Sequence, residues 1–141
     1  MRQKSLLILL LSGFLSFQLQ AQSIVGTWKT VDDVTGKTKS LIKIYEAQNG
    51  KVYGKVEKIL DTSNGEDPLC TLCPGDRKNK KILGMVLIRD MVKSGDVWKD
   101  GKILDPENGK EYSCKLWVEN GQLKVRGYWG VFYRTQTWFK S

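Results

Sequence analysis

Glycine-containing turns divide this chain into runs of strand length, and their regular spacing limits the folds that the chain can adopt. Each turn combines Gly with Asn, Asp or Ser, residue types that accept the backbone angles of hairpin turns. The turns lie at 32–37, 48–50, 93–96, 106–109 and 120–121. The eight runs beside them are 24–31, 38–46, 51–60, 82–91, 97–104, 110–119, 122–130 and 132–140. Short strands at this spacing predict an all-β sandwich or barrel.

Alternating hydrophobicity indicates which side chains of these runs face inward. Leu123, Val125 and Trp129 fall on one face of their run, and charged residues fall on the other face. This pattern is typical of an antiparallel sheet with one buried and one solvated face. The segment 85–92 would also suit a short helix. We expect about eight antiparallel strands in a closed or nearly closed barrel, with an interior that is either filled by side chains or holds one small ligand.

Residues 1–21 are typical of a secretory signal peptide. A positively charged start precedes an apolar run at 6–17, and Ala21 offers a small residue at the expected cleavage site. The run is short for a membrane helix, which needs about 20 apolar residues, so cleavage is favoured over an uncleaved anchor. We therefore expect an exported protein, periplasmic or secreted, in which residues 22–141 form a single barrel domain.

Charge and composition exclude several classes of function. The chain carries 23 Lys and Arg against 15 Asp and Glu, a net charge of +8, and the basic residues are spread among acids. This distribution predicts a solvated surface and no nucleic-acid partner, while peripheral contact with a membrane or cell wall stays compatible with it. Without histidine, a Ser–His or Cys–His nucleophile pair is impossible. We expect no enzymatic activity and no cofactor; the oligomeric state is left open.

The three cysteines favour a structural disulfide over a metal or redox site. Cys70 and Cys73 lie in the long irregular segment 61–81, and Cys114 alternates with inward apolar residues. Three cysteines without histidine do not complete a zinc site, and a thioredoxin-like motif needs a βαβ unit. By the chain-entropy estimate, a bridge to Cys114 would contribute about 4 kcal/mol to stability and a Cys70–Cys73 bridge about 2 kcal/mol. The inward position of Cys114 argues against the longer bridge. We predict a Cys70–Cys73 bond with Cys114 free, and the alternative is a bridge to Cys114.

A short motif near the mature N-terminus resembles a known fold signature. Gly26-Thr27-Trp28 is similar to the first strand of lipocalins and fatty-acid-binding proteins, which are calycin-like barrels. In such folds the tryptophan lies at the closed end and packs under a basic residue from the last strand. The resemblance therefore implies that Trp28 and Arg134 close one end of the barrel.

A second resemblance covers nearly the whole mature chain. The matching motifs occur in one order and make the chain similar to the bacterial exported family called domain of unknown function 2147. That family implies no established activity, substrate or catalytic residue. The motifs are Gly26-Thr27-Trp28, Thr35-Gly36-Lys37, 40–45, Tyr53-Gly54-Lys55, Cys70-Thr71-Leu72-Cys73, Gly84-Met85, 101–110, Arg126-Gly127-Tyr128 and 134–138.

Aromatic residues suggest a binding site inside the barrel. Val125 and Trp129 face inward by alternation, and Tyr45 and Tyr53 lie near the ends of early strands. Aromatic side chains with a few polar groups suit a small-ligand pocket, although they would equally fill a core. We predict that these four residues bind a small apolar or amphipathic molecule, with the irregular segment 61–81, called the cysteine segment below, as a lid or rim. The alternative is an interaction module that docks on a protein or an envelope polymer through its outer face.

Overall fold

The computed structural model describes residues 22–141, which form a closed antiparallel barrel of eight strands. Each strand pairs with the next, and β8 pairs with β1. The predicted all-β barrel is confirmed, whereas the predicted signal peptide lies outside the described residues. Within residues 22–141 no helix is long and apolar enough to span a membrane. The strands are β1 Gly26–Val31, β2 Thr38–Glu46, β3 Val52–Ile59, β4 Val86–Ser94, β5 Val97–Asp105, β6 Lys110–Glu119, β7 Gln122–Trp129 and β8 Phe132–Lys140.

β4 differs most from the sequence expectation. It begins at Val86 and ends at Ser94, so the helical alternative for this segment is wrong. Ile88 and Met91 are both fully buried although they lie three residues apart, a spacing that would place them on one face of a helix. A bulge makes this possible in a strand, because Asp90 has a positive φ of 58° and the register with β3 shifts beside it.

One end of the barrel is closed by a tryptophan. The Trp28 side chain is 2% exposed, and its indole Nε1 donates a hydrogen bond to the carbonyl oxygen of Ile24 at 2.8 Å. The Nζ atom of Lys140, in β8, lies 4.9 Å from the centroid of the Trp28 ring. We call this the closed end. It also carries the β2–β3, β4–β5 and β6–β7 turns.

The implied contact between Arg134 and Trp28 is wrong, because Lys140 takes that place. Trp28 pairs with Lys140 across the β1–β8 ladder, and Arg134 is six residues earlier on β8. A strand rises about 3.3 Å per residue, so roughly 20 Å separate Arg134 from that position. The Nε atom of Arg134 instead donates a hydrogen bond to Oδ2 of Asp33 at 2.9 Å, at the opposite end of the barrel.

The β1–β8 ladder is the shortest in the barrel. It joins two residue pairs, Trp28 with Lys140 and Lys29 with Phe139, whereas β7 and β8 pair from Leu123 to Trp129. The backbone N–H of Ser141 also donates to the carbonyl oxygen of Thr27 at 3.1 Å.

The cysteine segment between β3 and β4 packs on the opposite, open end of the barrel. It contains the predicted Cys70–Cys73 disulfide, with a Cα–Cα distance of 5.4 Å, and both cysteines are buried against Met85 and Leu104. Cys114 is a separate, free and buried thiol in β6, so the alternative bridge to it is not formed. Burial raises the pKa of the Cys114 thiol to about 12, and the thiolate form is suppressed at neutral pH.

A charged network fastens the cysteine segment to the barrel wall. Arg89 of β4 donates to both carboxylate oxygens of Glu111 in β6, at 3.1 and 2.9 Å. Arg77, in the 3-10 helix Gly75–Arg77 of the cysteine segment, donates to the same carboxylate at 2.9 Å. The hydrogen bonds from Arg89, followed by the one from Arg77, lower the pKa of Glu111 from 4.5 to about 2.

This network predicts acid sensitivity. Glu111 has a lower pKa in the folded state than in the unfolded state, so its stabilising effect is present above pH 4.5 and lost as the pH falls towards 2. We expect Glu111→Gln to lower the free energy of unfolding at pH 7 by about 1 kcal/mol. Thermal unfolding of both proteins across this pH range should show the difference shrinking in acid. A difference that is independent of pH would contradict the assignment.

Candidate functional site

A cavity of about 580 Å³ occupies the half of the barrel next to the open end. Its mouth lies between the β1–β2, β3–β4, β5–β6 and β7–β8 connections. Four polar side chains, Thr30, Ser40, Tyr112 and Gln136, interrupt an otherwise apolar wall. The apolar wall consists of Ile42, Val56, Ile59, Ile82, Leu87, Ile103, Leu104, Val125 and Trp138.

The polar wall residues are largely satisfied by one another or by neighbouring groups. The hydroxyl groups of Thr30 and Ser40 lie 2.9 Å apart in a hydrogen bond. The Trp138 Nε1 donates to Oε1 of Gln136 at 3.1 Å. The hydroxyl oxygen of Tyr112 accepts a hydrogen bond from the Asn108 amide at 2.9 Å. A molecule in this cavity therefore meets mainly apolar surface.

Gly127 contributes space to the cavity. It lies on β7 opposite Cys114, at a position where alternation directs side chains inward. A Cβ atom built on Gly127 would lie 3.5 Å from Cβ of Tyr112 and 3.8 Å from Cγ2 of Ile103, which is ordinary van der Waals contact. The missing side chain thus leaves room between β6 and β8.

Charged residues form a rim around the mouth, and most of them pair with one another. Lys39 contacts Glu107 and lies 3.8 Å from a carboxylate oxygen of Asp32. Arg134 is hydrogen-bonded to Asp33. Backbone N–H groups of the β1–β2 turn hold the pKa of Asp32 below its usual value. We define the rim as Asp32, Asp33, Lys39, Asp61, Asp105, Glu107 and Arg134.

Asp105 is the rim carboxyl whose environment is least aqueous. It ends β5, and its Oδ1 accepts a hydrogen bond from the Glu107 backbone N–H at 2.9 Å. Burial raises its pKa, and the nearby positive charges of Lys39 and Arg134 oppose this shift only in part. Within residues 22–141, no three Cys, Asp or Glu side chains are grouped so that they could hold a metal ion.

Two of the four predicted ligand-binding residues line the cavity. Val125 is a buried wall residue, and Trp129 lies at the mouth with 73% of its surface exposed. Tyr45 and Tyr53 do not contribute. They are on the outer face of β2 and β3, where their rings stack with centroids 6.0 Å apart.

The direction in which side chains alternate along β2 explains why Tyr45 does not line the cavity. Ile42 and Ile44 are buried inside the barrel, so Tyr45 faces outward by alternation. Nζ of Lys55 lies 5.7 Å from the Tyr45 ring centroid, and the Tyr53 hydroxyl donates to Oδ1 of Asp90 at 2.8 Å. These tyrosines stabilise the outer surface of the sheet.

Gly127, Tyr112 and the rim carboxylates were not among the predicted site residues. Alternation places Tyr112 on the inward face of β6 and Gly127 on the inward face of β7, so both residues could have been found from the sequence. The rim could not, because its members come from distant turns. Arg134 was selected, but for the wrong end of the barrel.

A second depression lies outside the barrel against the cysteine segment. It encloses about 650 Å³ but is a shallow, open surface feature lined by basic side chains that include Arg77, Lys81 and Arg89. Two of these cations are paired with Glu111, and Lys81 contacts Asp67 at 2.8 Å. We therefore regard the interior cavity as the candidate site.

A closed eight-stranded antiparallel barrel with an interior cavity open at one end is a lipocalin-like architecture. The sequence profile of the family described as "Uncharacterized protein conserved in bacteria (DUF2147)" matches residues 26–140, and the chain belongs to this family. One solved structure with a similar fold is described as "Protein HP1028 from the human pathogen Helicobacter pylori belongs to the lipocalin family". The TM-score is 0.72 and the identity 24%, over 84% of this chain and 83% of that chain. A comparison with curated proteins found no match.

Proposed function

We propose that this protein is exported and binds one small apolar or amphipathic molecule inside the barrel, without catalysing a reaction. The observation that carries the proposal is the cavity of about 580 Å³ with apolar walls. Ligand pockets typically enclose about 300–1,000 Å³, are lined mainly by apolar side chains and contain a few polar groups. A barrel interior filled by side chains, the other possibility that the sequence allowed, is therefore less favoured.

The two ends of the cavity differ in polarity, which suggests how the ligand is oriented. Ile42, Val56 and Val125 are buried apolar side chains of the wall. The mouth instead carries the charged rim, including the Lys39 ammonium and the Arg134 guanidinium. An amphipathic molecule would place its apolar part against the wall and its polar end at the rim, because that arrangement avoids burying an unpaired polar group.

The disulfide supports export. The Cys70–Cys73 bond is buried between the cysteine segment and the barrel, and structural disulfides persist mainly in oxidising compartments. The signal-peptide pattern of residues 1–21 points to the same destination.

Native mass spectrometry of the protein isolated from its producing cell tests the proposal. We expect a mass excess that matches one bound molecule and that disappears when the protein is denatured. An interaction module without an internal ligand, the competing class of function, predicts the mass of the chain alone.

Filling the cavity provides a second test. We expect Gly127→Leu to weaken binding of an environment-sensitive naphthalene sulfonate dye at least about tenfold, equal to about 1.4 kcal/mol, because the new side chain would occupy ligand space. Lys43→Leu is the matched control, since it adds leucine to an exposed position of β2 outside the barrel. Dye fluorescence titration gives the affinities, and thermal unfolding verifies the fold. Unchanged dye affinity in folded Gly127→Leu would contradict a binding site in the cavity.

A further inference from the structure

The tip of the β7–β8 hairpin exposes an unusual amount of apolar surface. Trp129 is 73% exposed, Phe132 72% and Tyr133 61%, and Val131 in the turn is 89% exposed. Val34, on the neighbouring β1–β2 turn, is 91% exposed. We call these five residues the apolar tip. An isolated exposed apolar residue needs no explanation, whereas a group of this kind marks an interaction surface.

The apolar tip lies beside the cavity mouth. Trp129, Phe132 and Tyr133 all border the cavity, and Arg134 joins the hairpin to the β1–β2 turn through Asp33. The charged rim groups next to the tip are already paired, Arg134 with Asp33 and Lys39 with Glu107. The five residues of the apolar tip are also the five most exposed large hydrophobic side chains of residues 22–141.

We infer that the apolar tip inserts into the interfacial layer of a phospholipid bilayer and holds the cavity mouth at the membrane surface. Tryptophan and tyrosine favour this layer because they combine an apolar ring with a polar group. Cations accompany both rings here. Nζ of Lys110 is 5.7 Å from the Trp129 ring centroid, and the Arg126 guanidinium is 4.2 Å from that of Tyr133. Such cations lie at headgroup depth when the rings are inserted.

The size of the tip favours a bilayer over a protein partner. Full burial of an aromatic side chain removes roughly 150–250 Å², and the three rings are about two-thirds exposed, so together they offer on the order of 400 Å². Each partner of a stable protein interface buries about 800 Å².

Orientation on the membrane distinguishes this inference from anchoring by the N-terminal apolar run. The chain enters the barrel at the closed end, where Ile24 is buried beside Trp28. A retained N-terminal segment would therefore hold the closed end at the bilayer, and the apolar tip would be at the opposite end.

Two labelled variants of the full chain read this orientation directly. Val131→Cys places an environment-sensitive fluorophore in the apolar tip, and Asp96→Cys places it in the exposed β4–β5 turn of the closed end. Cys114 is buried and does not compete for the label. On phosphatidylcholine vesicles we expect a blue shift and a several-fold rise in emission for the label at 131 alone. A response at 96, at both positions or at neither would overturn the inference.

Removing the apolar side chains gives an independent measurement. We expect Trp129→Ser combined with Phe132→Ser to lower the vesicle partition coefficient at least about tenfold, because two exposed rings are removed. Phe139→Ser removes a 41% exposed aromatic residue at the closed end and is the matched control. Partitioning should persist in high salt, since the attraction is apolar. Equal partitioning of the two variants would overturn the inference, whether or not the cavity binds a ligand.

Discussion

Trp28→Ala is expected to lower the free energy of unfolding by about 3–5 kcal/mol, the cost of removing a large buried aromatic side chain. The indole is 2% exposed, donates its hydrogen bond to Ile24 and lies under the Lys140 ammonium. Its loss would leave a void in the core and remove the contact that joins the N-terminal segment to β8. Chemical denaturation monitored by circular dichroism measures the change.

Arg134→Ala is the control for this prediction. The Arg134 side chain is 66% exposed and paired with Asp33 at the rim, and exposed ion pairs contribute only about 0–1 kcal/mol. If Arg134→Ala lowered stability as much as Trp28→Ala, the placement of Arg134 at the rim would be contradicted. Because Trp28 does not line the cavity, folded Trp28→Ala should keep the dye affinity of the wild type.

Gly109→Ala is expected to lower the free energy of unfolding by about 2–4 kcal/mol, for two separate reasons. Gly109 has a φ of 71°, which a residue with a Cβ atom adopts only with strain. In addition, a Cβ atom at this position would overlap the carbonyl oxygen of Leu72 in the cysteine segment. The segment must therefore move away from the β5–β6 turn, and the mouth of the cavity must change with it.

Gly121→Ala separates the two reasons. Gly121 has a similar φ of 74°, but nothing lies within 4 Å of a Cβ atom built there. Its substitution should cost only the backbone strain, about 1–2 kcal/mol. Limited proteolysis should cut the cysteine segment faster in Gly109→Ala than in Gly121→Ala. Equal stability and equal cleavage of the two variants would show that the segment does not pack on Gly109.

The architecture was predictable from the sequence because the turns and the alternation act locally. The turn at 120–121 and the alternation of Leu123 and Val125 each depend on neighbouring residues. β4 could not be predicted from local alternation. Its buried residues Ile88 and Met91 follow a helical spacing, and only the bulge at Asp90 reconciles that spacing with a strand.

The site was less predictable because it depends on register and on distant turns. Val125 and Trp129 were found through the alternation of a single strand. The sequence did not show that Tyr45 and Tyr53 face outward. The burial of Ile42 and Ile44 inside the barrel shows which face of β2 points inward. A residue's place in the sequence of β8 does not reveal which end of β1 it meets, so Arg134 was assigned to Trp28 instead of Asp33.

The short β1–β8 ladder has a mechanical consequence. Seven ladders join the strands from β1 to β8 into one continuous sheet, and only two residue pairs close that sheet into a tube. The tube can therefore unroll along this line while every hairpin keeps its own hydrogen bonds. Trp28 lies on this line and contacts Lys140 across it, so we expect the loss of its side chain to weaken the closure of the tube.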